Sequence, residues 1–133
     1  LSGTHNFASD TFKLALYTSS PYTTASTVYD ATSETTGTEY SAGGNTLTGN
    51  AVSNVANYAT VDFTDSVWGS PTPATFSAAY GAIYNSSASN KLVVVLDFGG
   101  TKSCSNGTFT VTFPSPTSGS PSGADALLSI KSN

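Results

Sequence analysis

Apolar and polar residues alternate along this chain in short bursts, and no burst keeps a helical period for long. "TFKLALY" sets Phe12, Leu14 and Leu16 against Thr11, Lys13 and Tyr17, the pattern of a half-buried strand. "NYATVDFTDSVW" sets Ala59, Val61 and Phe63 against Thr60, Asp62 and Thr64 and predicts a strand ending near Trp68. Two prolines in "GSPTPAT" break the pattern. "FSAAYGAIYN" follows, a strand with one face small enough for close packing. "KLVVVLDF" is apolar on both faces, which predicts a central strand, and the polar connector before it closes a well-buried hairpin over Tyr80 to Gly100. A charge at Val94 would then be expected to abolish folding. "TFTVTF" turns Phe109, Val111 and Phe113 inward, and "ADALLSIK" supplies the last strand.

The remaining stretches are loops or ambiguous. Leu1–Asp10 is polar with one lone aromatic, Phe7, and reads as an arm the core does not need. "TSSPYTTAST" and "GGTKSCSNG" read as loops. Between Val28 and Gly49 a short helix at Ala31–Thr35, capped by Asp30 with Glu34 in its first turn, competes with edge strands near Glu39–Tyr40 and Thr46–Thr48. "PSPTSGSPSG" is a linker. Seven to nine short strands at this spacing predict an all-β fold, an antiparallel β-sandwich of Ig-like or jelly-roll type. The division is residues 1–10 as an N-terminal arm and 11–133 as a single β-sandwich domain.

Composition narrows the function classes. The 133 residues suffice for one real core without a disulfide. Charged residues are only 9% of the chain, against about 25% in ordinary soluble domains, and Ser and Thr take their place. Arginine is absent, and Lys13, Lys91, Lys102 and Lys131 assemble no basic patch on a chain of net charge −4. Nucleic acid, which needs several phosphate contacts, is therefore not an expected partner. No apolar run reaches the roughly 18 residues of a membrane helix, so no membrane partner is expected. "LSGTHNFASD" has neither a basic nor an apolar leader region, and without an initiator Met a piece upstream of Leu1 can be missing.

Residue types that do chemistry are scarce. Cys104 has no second cysteine to bridge to, and the one histidine, His5, lies near the N-terminus. Asp62 with Asp65, or Glu34 with Glu39, are the pairs a glycosidase would need, but they read as surface carboxylates. Asp30, Glu34 and Glu39 offer Ca²⁺ the right ligand type without the spacing of a known loop. Asp97 interrupts the apolar run and is expected to accept hydrogen bonds from the Gly99–Gly100 turn. "NSS" at Asn85 and "NGT" at Asn106 fit a glycosylation pattern but read better as turns. No catalytic residue, cofactor or metal site is expected, and the chain is not read as an enzyme. Its seven tyrosines exceed what a small core uses, and such residues favour contacts; an exposed Tyr or Trp68 would also suit a sugar. The partner-contact candidates are Phe7, His5, Asn6, Tyr22 and Tyr40.

Five stretches together, "DTFKLALYTSS", "YSAGGNTLTG", "ATVDFTDSVW", "AAYGAIYNSSASNKLVVVLDFGG" and "GTFTVTFP", resemble a family of small virion structural proteins of tailed bacteriophages. The resemblance spans Asp10 to Pro114; the chain departs from it at Tyr80, where many relatives carry Arg. It implies a virion component and carries no catalytic motif. The expectation is a capsid decoration (cement) protein on the outer surface of the shell, a homotrimer bound to the major capsid protein, with the arm as tether. A tail or fibre component with a receptor-binding role is the alternative, and a carbohydrate-binding module or enzyme a third.

Overall fold

The computed structural model describes residues 4–55, 58–114 and 128–131. Among them the regular structure is all β, and every strand pair is antiparallel. The strands are β1 (Phe12–Tyr17), β2 (Asn45–Thr46), β3 (Ala51–Val55), β4 (Tyr58–Asp62), β5 (Ser66–Trp68), β6 (Ala74–Asn85), β7 (Lys91–Gly107), β8 (Phe109–Val111) and β9 (Leu128–Lys131). They form a sheet of order β2-β1-β6-β7, a sheet β3-β4-β9 and a pair β5-β8.

The central positions go to β1 and β6, which pair along their whole common length from Phe12↔Asn85 to Tyr17↔Tyr80. Alternation on β1 survives as a division between two apolar clusters. Phe12, Leu14 and Leu16 join Phe76, Ala78 and Ile83 with Val61, Phe63, Trp68, Phe109 and Phe113 from the smaller sheets. Ala15 and Tyr17 join Ala82 and Tyr84 on the opposite face of the same sheet, under Tyr22, Tyr29, Tyr80 and Leu92. The small face of β6 is what allows this. A Cβ on Gly81 would come within 3.2 Å of both Leu14 Cδ1 and Phe98 Cζ, so the missing side chain is the space those two occupy. Gly44, at φ 70°, lays its backbone against Leu14 where any side chain would collide.

The structure corrects the reading of the most apolar run. Lys91–Phe98 does not form a central strand: β7 is the edge of its sheet, and Val95 stays 36% exposed. Its apolar content has two separate uses. Val94, Leu96 and Phe98 pack on the main core, and Leu92 packs on the tyrosine face. Three register shifts against β6 keep this edge from running flat, and Thr27–Tyr29 covers its first residues through Leu92 N–H to Thr27 O (2.9 Å) and Tyr29 N–H to Asn90 O (2.8 Å). Bulges and covers of this kind are how edge strands avoid unwanted pairing.

Other expectations divide. The Tyr80–Gly100 hairpin is present, closed by positive φ at Ser89 and Asn90. "GGTKSCSNG" is not a loop but continues β7. Residues 98–101 face Ala79 alone, after which Lys102–Cys104 pair again with Ala78–Phe76. Cys104 is thus half-buried in a strand, its Sγ 3.7 Å from Phe76 O. The stretch ending at Trp68 divides into β4 and β5. "TFTVTF" gives only the short β8, whose partner is β5, so Asn106–Gly107 is not the turn of a β7–β8 hairpin. No helix forms at Ala31–Thr35. Asp30 Oδ1 instead accepts Thr32 N–H (2.7 Å), a turn that ends at the bridge Tyr17↔Glu34. The Pro/Ser/Gly-rich linker, Pro114 apart, lies outside the described residues.

Candidate functional site

The five contact candidates divide between the two ends of β1. At its start, Phe7 is buried at 9% exposure, stacked on Phe12 with ring centroids 4.9 Å apart. This corrects the expectation of a free apolar anchor, because the ring is already spent on the chain's own core. His5 tilts over both phenylalanines and touches Asn85, with Nδ1 3.2 Å from Nδ2. Asn85 is fully buried and organises the corner. Its amide donates to Asp10 Oδ2 (2.7 Å), and its carbonyl accepts Ser87 N–H (3.0 Å) and Ala88 N–H (3.1 Å). Asn6 N–H donates to the same Asp10 oxygen (2.8 Å), while the Asn6 residue itself is exposed. The Asn6 and Asn85 donors hold the Asp10 carboxyl below the usual range. Burial pushes the His5 imidazole down, against the opposing pull of Asp10. A buried, fully bonded Asn85 serves as a turn anchor and leaves no amide for a glycan.

At the other end, Tyr40 belongs to a hydroxyl network around Glu34, and Tyr22 to a neighbouring one with Tyr17 and Asp30. Glu34 Oε2 accepts the Tyr29 hydroxyl (2.5 Å), and Oε1 accepts the Tyr40 hydroxyl (2.6 Å) and Gly43 N–H (2.7 Å). Tyr40 Oη in turn accepts Leu16 N–H at 2.9 Å, and Tyr84 donates to Gly43 O at 2.8 Å. The Tyr17 and Tyr22 hydroxyls meet at 2.7 Å beside Asp30 O. Burial first, and the Glu34 carboxylate second, holds Tyr29 and Tyr40 protonated well above the ordinary tyrosine range; Tyr84 is pushed up to about 12. The network ties the segment from Tyr22 to Gly43 down onto β1 and β6. Sequence reading singled out Tyr22 and Tyr40 but not Glu34 as the shared acceptor of Tyr29, Tyr40 and Gly43; the spacing of these residues carries no such signal.

The acidic sets find other uses as well. Glu39 is exposed at φ 64°, while Glu34 faces protein donors. Among the described residues no group of three His, Cys, Asp or Glu side chains is placed to hold a metal ion. Asp65 Oδ1 accepts Phe113 N–H (2.9 Å), and Asp62 borders the same shallow depression of about 590 Å³. Asp97 Oδ1 accepts Gly99 N–H at 2.8 Å, the turn contact expected of it. Trp68, at 3% exposure among Tyr40, Phe76 and Phe109, is closed to a sugar.

Among the described residues a groove of about 630 Å³ lies open between β7 and β8. Leu96, Phe98, Phe109, Val111 and Phe113 make its floor, and Asp97 and Lys102 stand on its rim. It lies where two sheet edges face each other without a strand between them among the described residues. Sequence reading missed it because its two walls come from strands that do not pair. Compared with protein-family models, curated proteins and solved structures, the chain matches none of them.

Proposed function

We propose that this chain is a structural protein of a tailed-bacteriophage virion, a decoration protein that binds the outer surface of the major capsid shell and stabilises it. The observation that carries the reading is the place of β7. The most apolar run of the chain, Leu92–Phe98, lies in a strand at a sheet edge beside an open groove instead of in the centre. A groove with an apolar floor suits a chain whose surface is completed by other chains. Low charge supports the same reading, since charged residues are depleted at the core of contact surfaces. The resemblance of Asp10 to Pro114 to small virion proteins points the same way.

The fold that fits this role is a two-layer β-sandwich. One layer is β2-β1-β6-β7, and the other combines β3-β4-β9 with β5-β8. The shared cluster of Phe12, Leu14, Phe76 and Ile83 with Phe63, Trp68, Phe109 and Phe113 supports that arrangement. Such a scaffold presents rigid edges, and its job is contact, not chemistry.

Copy number in purified particles tests the function. A decoration protein is present in hundreds of copies, and its removal lowers the temperature at which particles release their genome. A handful of copies confined to tails would replace this reading with a tail component, and absence from particles would overturn it.

A further inference from the structure

The edge of β7 carries a knob beside the groove. Residues 98–101 stand across from Ala79 alone, so the chain bulges out of the sheet there. The tip is Gly99 and Gly100, both exposed, at φ 69° and 128°. No heavy atom lies within 4 Å of where either Cβ would be, so the tip is bare backbone in open space. Its two shoulders are Asp97 and Lys102, both exposed, of opposite charge and both on the rim of the groove. The groove's far wall is β8, whose Thr110 is exposed and whose outer edge has no strand partner among the described residues.

We propose that the occupant of this groove is a second copy of the same chain, bound about a two-fold axis, with the Gly99–Gly100 tip of each copy entering the groove of the other. Three features commit the site to that partner. Knob and hole adjoin on one patch, which is what an isologous contact requires. A side-chain-free tip is narrow enough to bring its backbone up to the open edge of β8. The charges complete themselves: Asp97 of one copy meets Lys102 of the other, twice, and among the described residues no other charged one lines the groove. A flat β7-to-β7 pairing is the obvious rival. The sequence KLVVVLD invites it, since reversing it sets Lys91 against Asp97. The register shift near Val93 puts those residues on opposite faces, however, and Thr27–Tyr29 covers the Lys91 end. The two-fold pair is a different assembly from the homotrimer expected from the sequence.

Sedimentation of the purified protein over a roughly hundredfold dilution series tests this without any particle, so its outcome is independent of the virion reading. A reversible monomer–dimer equilibrium that weakens with salt is expected. Asp97→Lys and Lys102→Asp should each weaken it by about tenfold or more, and the double swap should restore it. Asp97→Asn keeps the acceptor for Gly99 N–H and separates loss of charge from loss of the turn. Thr110→Arg blocks the groove from the β8 side without touching the knob, and should leave the melting temperature unchanged while abolishing the dimer. A chain that stays monomeric throughout, a trimer, or a dimer indifferent to Thr110→Arg and to both reversals would overturn the proposal.

Discussion

Phe7 stacks on Phe12 with the two ring planes only 7° apart. A residue from the supposed arm is thereby part of the core that β1 begins. Phe7→Ala should lower stability by about 3 kcal/mol, the usual cost of removing a buried phenyl ring. Deleting residues 1–9 should lower the melting temperature at least as much. Urea titration of both variants checks this, and an unchanged midpoint would return the segment to the status of a separable tether.

Asn85 ties that same corner to the hairpin through four hydrogen bonds to His5, Asp10, Ser87 and Ala88. Asn85→Ala removes one of two donors from Asp10 Oδ2 and the side-chain acceptor of Ser87 and Ala88 N–H, and should cost about 1–3 kcal/mol. Asn85→Asp should cost more near neutral pH, because it sets a second carboxylate beside Asp10, and should recover part of the loss in acid. Melting temperatures at two pH values separate the two effects.

Glu34 is the shared acceptor for Tyr29, Tyr40 and Gly43. Glu34→Ala should destabilise by about 2–4 kcal/mol, since three donors lose a charged partner. Glu34→Gln keeps one acceptor oxygen and should cost clearly less. Near-ultraviolet circular dichroism should report the tyrosines loosening in the alanine variant; equal stability of the two variants would show that the carboxylate is not the hub.

Alkali should unfold the protein through the same tyrosines. Their folded pKa values are raised above the ordinary value of about 10, with Tyr84 at about 12. The folded chain therefore holds protons that the unfolded chain releases, and stability must fall as pH rises above about 10. Below that pH these groups contribute no slope. Tyrosinate absorbance should rise together with loss of the far-ultraviolet signal; gradual titration of all seven tyrosines near pH 10 in a folded chain would contradict the network.

The central strand can be located by two single substitutions. Ile83 is fully buried on β6, and Ile83→Asp should prevent cooperative folding, because an unpaired charge there costs several kcal/mol against a total of about 5–15. Val95 is 36% exposed on β7, and Val95→Lys should change stability by less than about 1 kcal/mol. The reverse order would place β7, not β6, at the centre.

The chain's own pattern determined the all-β class, the courses of β1 and β6, the Tyr80–Gly100 hairpin and the inward turn of Phe109 and Phe113. These are local matters: period-two alternation and turn residues act over a few positions. Which strand is central was decided elsewhere. An apolar run such as Leu92–Phe98 looks the same whether neighbouring strands flank it on both sides or a core and a tyrosine cluster cover its two faces. Phe7 in a polar stretch gives no sign that its ring will meet Phe12, and Glu34 none that Tyr29, Tyr40 and Gly43 will converge on it. The groove between β7 and β8 belongs to neither strand's sequence. It exists only because the fold brings the edges of two strands that do not pair with each other face to face, and relationships across that distance are set by packing, which no local pattern records.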